Sequence, residues 1–526
     1  MLVNIYDGLY GGGWVGLAPY VLKSYVGKFG VSKGFDIVLR QFGRKDSVER
    51  IVRKIKSEGP DAVGFSLYVY NVRKTLEVIG QLDCSVIVGG PQVTGVEKDL
   101  LERNRNINIV VTGEGEIAFK ELLEHFAGLK KIEEISGITT RSFQTAPSPE
   151  LIDLNSIPPV HQQIVRDHPR AENICIETSR GCPYSCGYCA WAIDKKMRYY
   201  DLGRILGDFD TICRQPGIKN VYLADASLFS NKERAKAILG HIIKISPKKK
   251  FYFELNLEHV DDELIDLMAQ LPNQDFSFGI QAVDPGPNEQ AGRNFDPKLF
   301  RERFQRVSAK LKQAQLLVDI IYPLPGDTLD GCKRSIEFAL SLDKVHLIKF
   351  NPLILLPGSE FFRNREKYGF TLRDDVVRTV EACNTFLPED VKRAIKCANY
   401  TGIIQANHKF KSAIRLAAKK KNVGMLDFME ELVETLPFEL FEGGEMPEMI
   451  TAERDDEKYF LGMVPAYLNY GKLIKHFKKY TRHEYDRSLR GWMMAFGDLG
   501  LGKMRLDLLV KLLWMLLKKS LPVTGH

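Results

Sequence analysis

The chain has no run of roughly 20 apolar residues, the length that a membrane-spanning helix requires. Its first residues lack the basic start and apolar core of a signal peptide. Nine cysteines among 526 residues are too few for a disulfide scaffold. Histidine is also scarce, and the first one is His125. These absences predict a protein without a transmembrane segment in a reducing compartment, and we expect it in the cytoplasm.

Charge of one sign is not in large excess, since the formal net charge is +7. The basic residues are densest at Lys409–Lys421 and Lys472–Lys479. Solvated helix faces are the ordinary interpretation of such runs, and a surface for RNA, acidic lipid or an acidic partner is the alternative. We expect no nucleic-acid partner. The apolar fraction of 44% is that of a globular protein, and the length predicts about three domains.

Residues 1–126 alternate short apolar runs with amphipathic stretches, which predicts an α/β domain with a parallel, Rossmann-like sheet. Ligands of such sheets bind at the carboxyl ends of the strands. The predicted strands are Leu2–Tyr6, Phe35–Leu39, Ala62–Leu67, Val86–Val88 and Ile109–Val111. Turn signals follow three of them, at Gly11–Gly13, Gly89–Pro91 and Gly113–Glu116.

The rest of the chain divides into three predicted segments. Residues 127–170 are rich in Ser, Thr and Pro and predict a linker. Residues 171–368 predict a partial (β/α)6 barrel. Its strands are expected at Ile174–Glu177, Asn220–Ala224, Phe251–Asn256, Phe276–Gln281, Leu316–Tyr322 and Leu347–Leu353. Residues 369–526 predict a helical domain that caps the barrel, with an apolar helix at Met504–Lys519 that docks on protein or, alternatively, on a membrane surface.

Three cysteines, Cys182, Cys186 and Cys189, crowd into the loop after the first barrel strand. Glycine and proline beside them supply turns that let the loop curl around one centre. Structural zinc needs four ligands, and no histidine lies between His168 and His241. Three thiolates suit a [4Fe-4S] cluster with one open iron, so zinc remains the minor alternative.

The CxxxCxxC spacing, with an aromatic residue before the last cysteine, resembles the signature of radical S-adenosylmethionine (radical SAM) enzymes. The resemblance implies that Cys182, Cys186 and Cys189 ligate three irons and that SAM chelates the fourth. Tyr188 is then expected beside the adenine of SAM. An electron from a reductant such as flavodoxin or ferredoxin would cleave SAM to a 5′-deoxyadenosyl radical, which is chemistry of the cofactors.

Further barrel residues are candidate SAM contacts. Asp225 follows the second strand, where this family usually contacts the SAM amino group, although the common Gly-Gly-Glu run is absent. Glu254 and Gln281 are polar residues inside apolar strands, where either a ligand or a structural hydrogen bond is expected. The runs Asp319–Thr328 and Pro352–Glu360 resemble the last two strand ends of the cobalamin-associated branch.

The first domain resembles the B12-binding fold that precedes the barrel in class B radical SAM proteins. The residues that carry this likeness, and that are implied to contact cobalamin, are Ser66, Leu67, Gly89, Gly90, Pro91, Gln92, Gly113 and Glu114. Small residues would let a corrinoid approach the backbone. The family's lower axial histidine is missing, with Leu9 in its place. The resemblance therefore implies cobalamin without a histidine ligand, or a domain that has lost the cofactor.

The leading prediction is a cobalamin-dependent radical SAM methyltransferase that acts on an unactivated carbon, or a phosphinate phosphorus, of a small-molecule substrate. Cyclisation, rearrangement or an unusual SAM cleavage are alternatives within the same cofactor set. A tRNA methylthiotransferase would need a second cysteine-bound cluster, yet the first domain holds only Cys84. A non-catalytic iron-sulfur protein would not need the later barrel motifs.

Overall fold

The structure is a computed structural model that describes residues 1–434 except 7–13, 44, 246–247, 272–273, 374–375, 406–410, 412–413, 416–417 and 420. The chain forms two compact units. The first holds Met1–Gly279, Gly286–Leu316 and Leu353–Asn384, and the second holds Ile280–Pro285, Leu317–Pro352 and the residues from Thr385 onward. The Gly11–Gly13 turn, part of the basic run Lys409–Lys421, all of Lys472–Lys479 and the Met504–Lys519 helix lie outside the described residues.

The strands follow the chain in this order: β1 Leu2–Tyr6, β2 Trp14–Val15, β3 Leu39–Gly43, β4 Ala62–Ser66, β5 Ser85–Gly89, β6 Ile107–Val111, β7 Ile138–Thr139, β8 Asn173–Ile176, β9 Ser179–Arg180, β10 Arg198–Tyr199, β11 Asn220–Leu223, β12 Lys250–Leu255, β13 Asp275–Gln281, β14 Gln315–Tyr322, β15 Val345–Pro352, β16 Thr371–Leu372 and β17 Val380–Ala382.

The α-helices are α1 Ala18–Lys28, α2 Val48–Glu58, α3 Val72–Ile79, α4 Glu97–Arg103, α5 Gly115–Phe126, α6 His161–Asp167, α7 Leu202–Arg214, α8 Lys232–Ile245, α9 Asp262–Ala269, α10 Pro285–Gln290, α11 Pro297–Lys310, α12 Leu329–Ser341, α13 Glu360–Arg363, α14 Arg365–Tyr368, α15 Pro388–Gln405 and α16 Met425–Glu434. Capping residues of the kinds that favour helix starts begin several of them. Ser47 accepts a hydrogen bond from Arg50 N at α2, and Asp261 accepts one from Leu264 N at α9.

The first sheet has the strand order β3-β1-β4-β5-β6-β7. Its strands are parallel except β7, which runs antiparallel to β6. The prediction of a linker over 127–170 is therefore wrong in part, because Ile138 and Thr139 extend this sheet and His161–Asp167 forms a helix. Ser, Thr and Pro lowered the periodic signal there, while Ile135 and Ile138 still bury their side chains in the core.

The second predicted strand is displaced. The apolar run at Phe35–Leu39 gave the expectation, but pairing with β1 covers Leu39 to Gly43. Ile37 is buried before the strand begins, and Val38 contributes only its carbonyl to Leu2 N. The polar Gln41 belongs in the strand because its side chain accepts hydrogen bonds from Asn4 Nδ2 and Gly16 N.

All six predicted barrel strands form. Four belong to the first unit except for Ile280 and Gln281 at the end of β13, and two belong to the second except for Gln315 and Leu316 at the start of β14. In the first unit the order is β2-β8-β11-β12-β13, with every pairing parallel. Trp14–Val15 was not expected here, since it precedes the barrel by more than a domain. In the second unit β14 and β15 are neighbours. The α/β class with two parallel sheets is thus confirmed.

Alternation along the barrel strands separates two faces. In β12 the side chains of Phe251 and Phe253 are almost wholly buried, whereas the alternating residues Tyr252 and Glu254 are more exposed. The buried phenylalanines stack near Phe209 of α7, so they form the layer between strand and helix. The alternate residues point to the opposite face.

After Tyr368 the described chain is not purely helical, because β16 and β17 form a short antiparallel pair before α15. In the second unit, α16 is anchored to α12 where Leu426 N donates to Glu337 Oε1 at 2.6 Å. No helix in the described part of the chain combines the length and apolarity needed to cross a membrane.

Gly90 tests how tightly the first sheet is built at its carboxyl edge. Its φ is +96°, and a Cβ there would lie 2.7 Å from Leu67 O. Gly128 is the matched control, because its φ is +75° but no atom lies within 4 Å of its Cβ position. We expect Gly90→Ala to lower the free energy of unfolding by about 3 kcal/mol and Gly128→Ala by about 1 kcal/mol. Chemical denaturation measures both, and equal losses would show that the Leu67 backbone yields.

Candidate functional site

The three cysteines lie on a loop that a short ladder closes at its base. Ser179 and Arg180 of β9 pair antiparallel with Tyr199 and Arg198 of β10. Within the loop, Cys182 N donates to Asp194 O at 2.8 Å. Gly181 adopts φ +91°, and a Cβ there would collide with the carbonyl of Lys196. The backbone at Gly181 can approach the backbone at Lys196 only because Gly181 has no side chain.

The middle of this loop is held from two sides at Gly187. Its amide donates to Ala291 O at 2.9 Å, and its carbonyl accepts from Phe361 N at 2.8 Å. A Cβ at Gly187 would collide with the Glu360 carboxylate and lie 2.8 Å from the Phe361 ring. The loop carrying the cysteines is therefore fixed by the segments around Ala291 and Phe361.

The thiols are close enough to influence one another. Burial raises the pKa of Cys182, and burial raises the pKa of Cys189 to about 12, with the other two cysteines adding to the effect. Cys182 and Cys189 would thus hold protons unless positive metal ions replaced them. Within the described residues, no three His, Cys, Asp or Glu side chains already converge as ligands of one ion would.

Arg293 reaches this loop from the turn after α10. Its Nη1 lies 3.7 Å from Cys186 Sγ and 3.1 Å from Tyr188 Oη, while Nη2 donates to Gly279 O at 3.0 Å. Tyr188, the expected adenine contact, also lies near the Phe361 ring, with centroids 6.5 Å apart.

Asp225 lies beside the segment that leads into the cysteine loop. Its Oδ1 accepts hydrogen bonds from Thr178 N at 3.0 Å, Thr178 Oγ1 at 3.2 Å and Ser179 Oγ at 2.6 Å. Its Oδ2 is buried without a hydrogen-bond partner among the described residues. Burial raises the pKa of Asp225 to about 6, despite those hydrogen bonds. One carboxylate oxygen is therefore structural and the other is available to a ligand.

Glu254 and Gln281 are the other two candidate SAM contacts on the barrel strands. Glu254 on β12 accepts a hydrogen bond from Tyr222 Oη at 3.3 Å, and the Tyr222 ring stacks on Tyr252 with centroids 5.3 Å apart. Gln281, which belongs to the second unit, has φ +63° and a buried Oε1 without a partner in the described chain. A positive φ is uncommon outside glycine and marks a residue held by its surroundings.

The residues predicted to contact cobalamin lie at the carboxyl ends of β4, β5 and β6, which are neighbours in the first sheet. Ser66 and Gly89 are partners across β4 and β5. Leu67 is buried and binds the next turn through its backbone, with its amide on Gly89 O at 2.7 Å and its carbonyl on Gln92 N at 3.2 Å. Pro91 is exposed, and Gln92 is buried with its Oε1 lacking a partner among the described residues.

In the third turn, at Gly113–Glu116, the acidic side chains form ion pairs with arginines. Gly113 adopts φ +86°. Glu114 binds Arg180 at 3.0 Å and Arg198 at 2.9 Å, and it accepts Leu151 N at 2.7 Å. Burial alone would raise the pKa of Glu114, but the two arginines outweigh it and lower the pKa. The carboxylate of Glu114 thus serves the cysteine loop, so only its backbone remains for a corrinoid.

Arg180 is the centre of this ion-pair cluster. Besides Glu114 it binds Glu116 at 2.7 Å and Glu177 at 3.0 Å, and its side chain is only 14% exposed. Tyr200 Oη donates to Glu177 at 2.8 Å. The cluster joins the first-sheet turn at Glu114–Glu116 to the residue that precedes Gly181 and Cys182.

Sequence reasoning assigned no role to Arg180, Arg198 or Arg293. Arg180 lies two residues before Cys182, and Glu114 and Glu116 lie at the predicted Gly113–Glu116 turn, so opposite charges in the two motifs were the available signal. Arg293 had none, because about a hundred residues separate it from the cysteines.

Comparison with known proteins matches two parts of the chain to family models. Residues 19–123 match the B12 binding domain, and residues 176–339 match the radical SAM superfamily. The chain belongs to the radical SAM enzymes that carry a B12-binding domain. Its cofactors are accordingly a [4Fe-4S] cluster, SAM and cobalamin, as expected from the sequence.

Curated relatives and a solved structure agree with this assignment. The chain is 26% identical to an uncharacterized methyltransferase of Pyrococcus horikoshii over 59% of this chain and 71% of that protein. It is 26% identical to the hopanoid C-3 methylase of Methylococcus capsulatus over 56% of this chain and 64% of that protein. The fold resembles the cobalamin-dependent SAM radical enzyme OxsB with aqua-cobalamin bound, with a TM-score of 0.60, 15% identity and coverage of 99% and 81%.

The residues present in the first unit fit cobalamin and the [4Fe-4S] cluster. At the carboxyl edge of the first sheet, a side chain at position 90 would have no room beside Leu67, so the edge presents its backbone. The buried amide oxygen of Gln92 has no protein partner in the described chain and is available to a polar ligand. At the cysteine loop, soft thiols with burial-raised pKa values require metal charge to ionise.

The Arg180 cluster makes a stability prediction. Arg180→Met would leave Glu116, which is 3% exposed, without its cation, and removing one partner of a buried pair costs about 3–5 kcal/mol. The control is Arg40→Met, which breaks the more exposed pair with Glu58 and should cost less than about 1 kcal/mol. Chemical denaturation of the apoprotein compares them. Equal, small losses would contradict the buried character of the cluster.

Asp225 makes a prediction about pH. Its pKa of about 6 in the folded protein exceeds the usual carboxyl value of 3.8, so the folded state binds the proton more tightly and loses stability as pH rises through this window. Chemical denaturation at a series of pH values measures this loss. Asp225→Asn removes that loss. Relative to the parent protein, the variant should gain about 2 kcal/mol between pH 4 and pH 7.5. Asp261→Asn is the control of opposite sign, because a backbone hydrogen bond from Leu264 lowers the pKa of Asp261.

Proposed function

We propose that this enzyme methylates an unactivated carbon of a small-molecule substrate, using a cluster held by Cys182, Cys186 and Cys189 together with cobalamin. The observation that carries the proposal is the buried ion-pair cluster of Arg180 with Glu114 and Glu116. These ion pairs join the Glu114–Glu116 turn, at the edge of the first sheet that we assign to cobalamin, to the start of the cysteine loop. Two cofactors held at these places would act on the same substrate.

The names of the relatives support methylation in particular. The Pyrococcus protein is named a methyltransferase and the Methylococcus protein a hopanoid C-3 methylase. The Methylococcus protein is matched over 64% of its length, so its substrate is not carried over. A phosphinate phosphorus remains a second acceptor class, and cyclisation or rearrangement remains the alternative reaction type.

In the proposal, the chain's own residues hold and orient SAM. The free Oδ2 of Asp225 would accept a hydrogen bond from the SAM amino group, because it is buried and unpaired while Oδ1 is fixed by three donors. Tyr188 would line the adenine, and Glu254 and Gln281 would bind other polar groups of SAM. When bound, the cluster and SAM supply radical chemistry and cobalamin supplies methyl transfer.

Cobalamin would rest on backbone and small side chains. Ser66, Leu67, Gly89, Gly90, Pro91, Gln92 and Gly113 form the edge of the first sheet that we assign to it. Gln92 would hydrogen-bond the corrinoid through its buried Oε1. Leu9 stands where the family's axial histidine would be, so the proposal requires a cobalt without a histidine ligand at that position.

We also propose limits for the domains, a source of electrons and a cellular compartment. We propose a cobalamin domain at 1–126, a barrel at 171–368 and a capping region at 369–526. A one-electron reductant such as flavodoxin or ferredoxin would supply the cluster. None of the nine cysteines, all of which lie in the described residues, forms a disulfide, which supports a reducing compartment and hence the cytoplasm.

Product analysis tests the proposed function. Full-length protein, reconstituted anaerobically with iron and sulfide, is incubated with SAM, a chemical reductant and hydroxocobalamin. We expect bound corrinoid, methylcobalamin, 5′-deoxyadenosine and S-adenosylhomocysteine in absorbance and mass spectra. Absence of bound corrinoid would remove the cobalamin-dependent reaction. 5′-Deoxyadenosine without methylcobalamin or S-adenosylhomocysteine would favour the non-methylating alternatives, and an intact cluster without SAM consumption would favour an electron carrier.

Replacement of each cysteine tests the cluster ligands. Cys182→Ala, Cys186→Ala and Cys189→Ala should each abolish the cluster absorbance and reduce 5′-deoxyadenosine to background, because three thiolates are needed to hold three irons. Cys84→Ala is the control, since Cys84 lies in the first domain before β5. It should retain iron, sulfide and SAM cleavage. Loss of the cluster in Cys84→Ala would contradict the assigned ligand set.

A further inference from the structure

Arg293 is fixed against the cysteine loop at several points. Its backbone segment binds the loop first, since Ala291 O accepts from Gly187 N at 2.9 Å. Gly292 adopts φ +65°, and a Cβ there would lie 2.7 Å from Ser185 O. Arg293 N then donates to Asn288 O at 2.8 Å. The turn that carries Arg293 thus packs closely against the loop between Cys182 and Cys189.

The guanidinium of Arg293 is held in place by hydrogen bonds. Nη2 is anchored on Gly279 O at 3.0 Å, which leaves Nη1 directed to Tyr188 Oη at 3.1 Å and Cys186 Sγ at 3.7 Å. Its Nε is buried and has no partner among the described residues. A buried N–H donor without an acceptor is costly, so a thiolate or an inorganic sulfide beside it would complete the site.

We propose that Arg293 sets the reduction potential of the cluster by donating a hydrogen bond to the sulfur of Cys186. The proposal rests on Cys186 being a cluster ligand. One electron enters the cluster from the one-electron reductant, no proton moves and no bond is made or broken. The cluster thereby becomes more negative by one charge, so a permanent cation beside a ligand sulfur stabilises the reduced form more than the oxidised form.

Arginine suits this role better than lysine. A guanidinium keeps its charge at every accessible pH, and its fork can bind Gly279 O and Cys186 Sγ at once. A lysine ammonium is one compact donor group and would not hold both. Hydrogen bonds to cluster sulfurs are among the means by which proteins tune such potentials.

The test is a potentiometric titration of the reconstituted full-length protein followed by electron paramagnetic resonance, without SAM or cobalamin. Arg293→Gln should shift the midpoint potential of the cluster to more negative values. Arg293→Lys, which keeps the charge but loses the fork, should shift it in the same direction by less. Lys249→Met is the matched control, because Lys249 is a buried cation held by Gln215 O and Ile218 O before β12, at the opposite strand ends. The midpoint potential of the cluster in Lys249→Met should equal that in the parent protein.

An unchanged potential in Arg293→Gln with full iron and sulfide content would overturn the proposal. If Arg293→Gln assembles no cluster, Arg293→Lys decides, and an unshifted potential there overturns it as well. A role confined to SAM binding is separated by the same data, because SAM is absent from the titration. Failure of the proposed function looks different, since the parent protein would then hold no cluster or no corrinoid.

Discussion

The buried guanidinium of Arg180 constrains the rest of the functional unit. Three carboxylates, those of Glu114, Glu116 and Glu177, surround it within 3.0 Å. A charge removed from water is tolerated only when its partners are in place, because an unpaired buried charge costs several kcal/mol. Any movement of the Glu114–Glu116 turn away from the cysteine loop would break these pairs. The relative placement of the two loops is thus specified by electrostatics as well as by chain connectivity.

The same cluster explains why the segment after the first domain is ordered. Glu114 accepts Leu151 N, and Arg198 donates to Leu151 O at 2.8 Å, so both backbone groups of Leu151 are satisfied by the cluster. Composition alone suggested a linker, because Ser and Pro reduce periodicity. Hydrogen bonds to residues far along the chain hold the segment in place, and these leave no trace in local composition.

Local patterns in the sequence predicted the features that depend on local physics. Alternation of apolar residues located β12 and its neighbours, since burial of Phe251 and Phe253 on one face follows directly from period two. Strand limits were less accurate where a polar residue such as Gln41 is stabilised by a distant partner, Asn4. The cysteine spacing identified the loop. It did not identify Arg293, because that contact arises only when the turn after α10 folds onto the loop.

Buried polar atoms left without protein partners give a further measure of which places need a ligand. Asp225 Oδ2, Gln92 Oε1 and Arg293 Nε are three such atoms in the described chain, and each unsatisfied group costs about 1–3 kcal/mol. Such atoms also occur away from the loops, for example Arg204 Nε, so the lack of a partner is not sufficient evidence. Position decides the matter. Asp225 follows β11 and Gln92 follows β5, and parallel sheets bind ligands at such strand ends. Arg293 touches the cysteine loop instead. If SAM, the corrinoid and the cluster bind as we propose, each would remove the cost of one unpartnered atom, and the occupancy of these cofactors would be coupled to the stability of the fold.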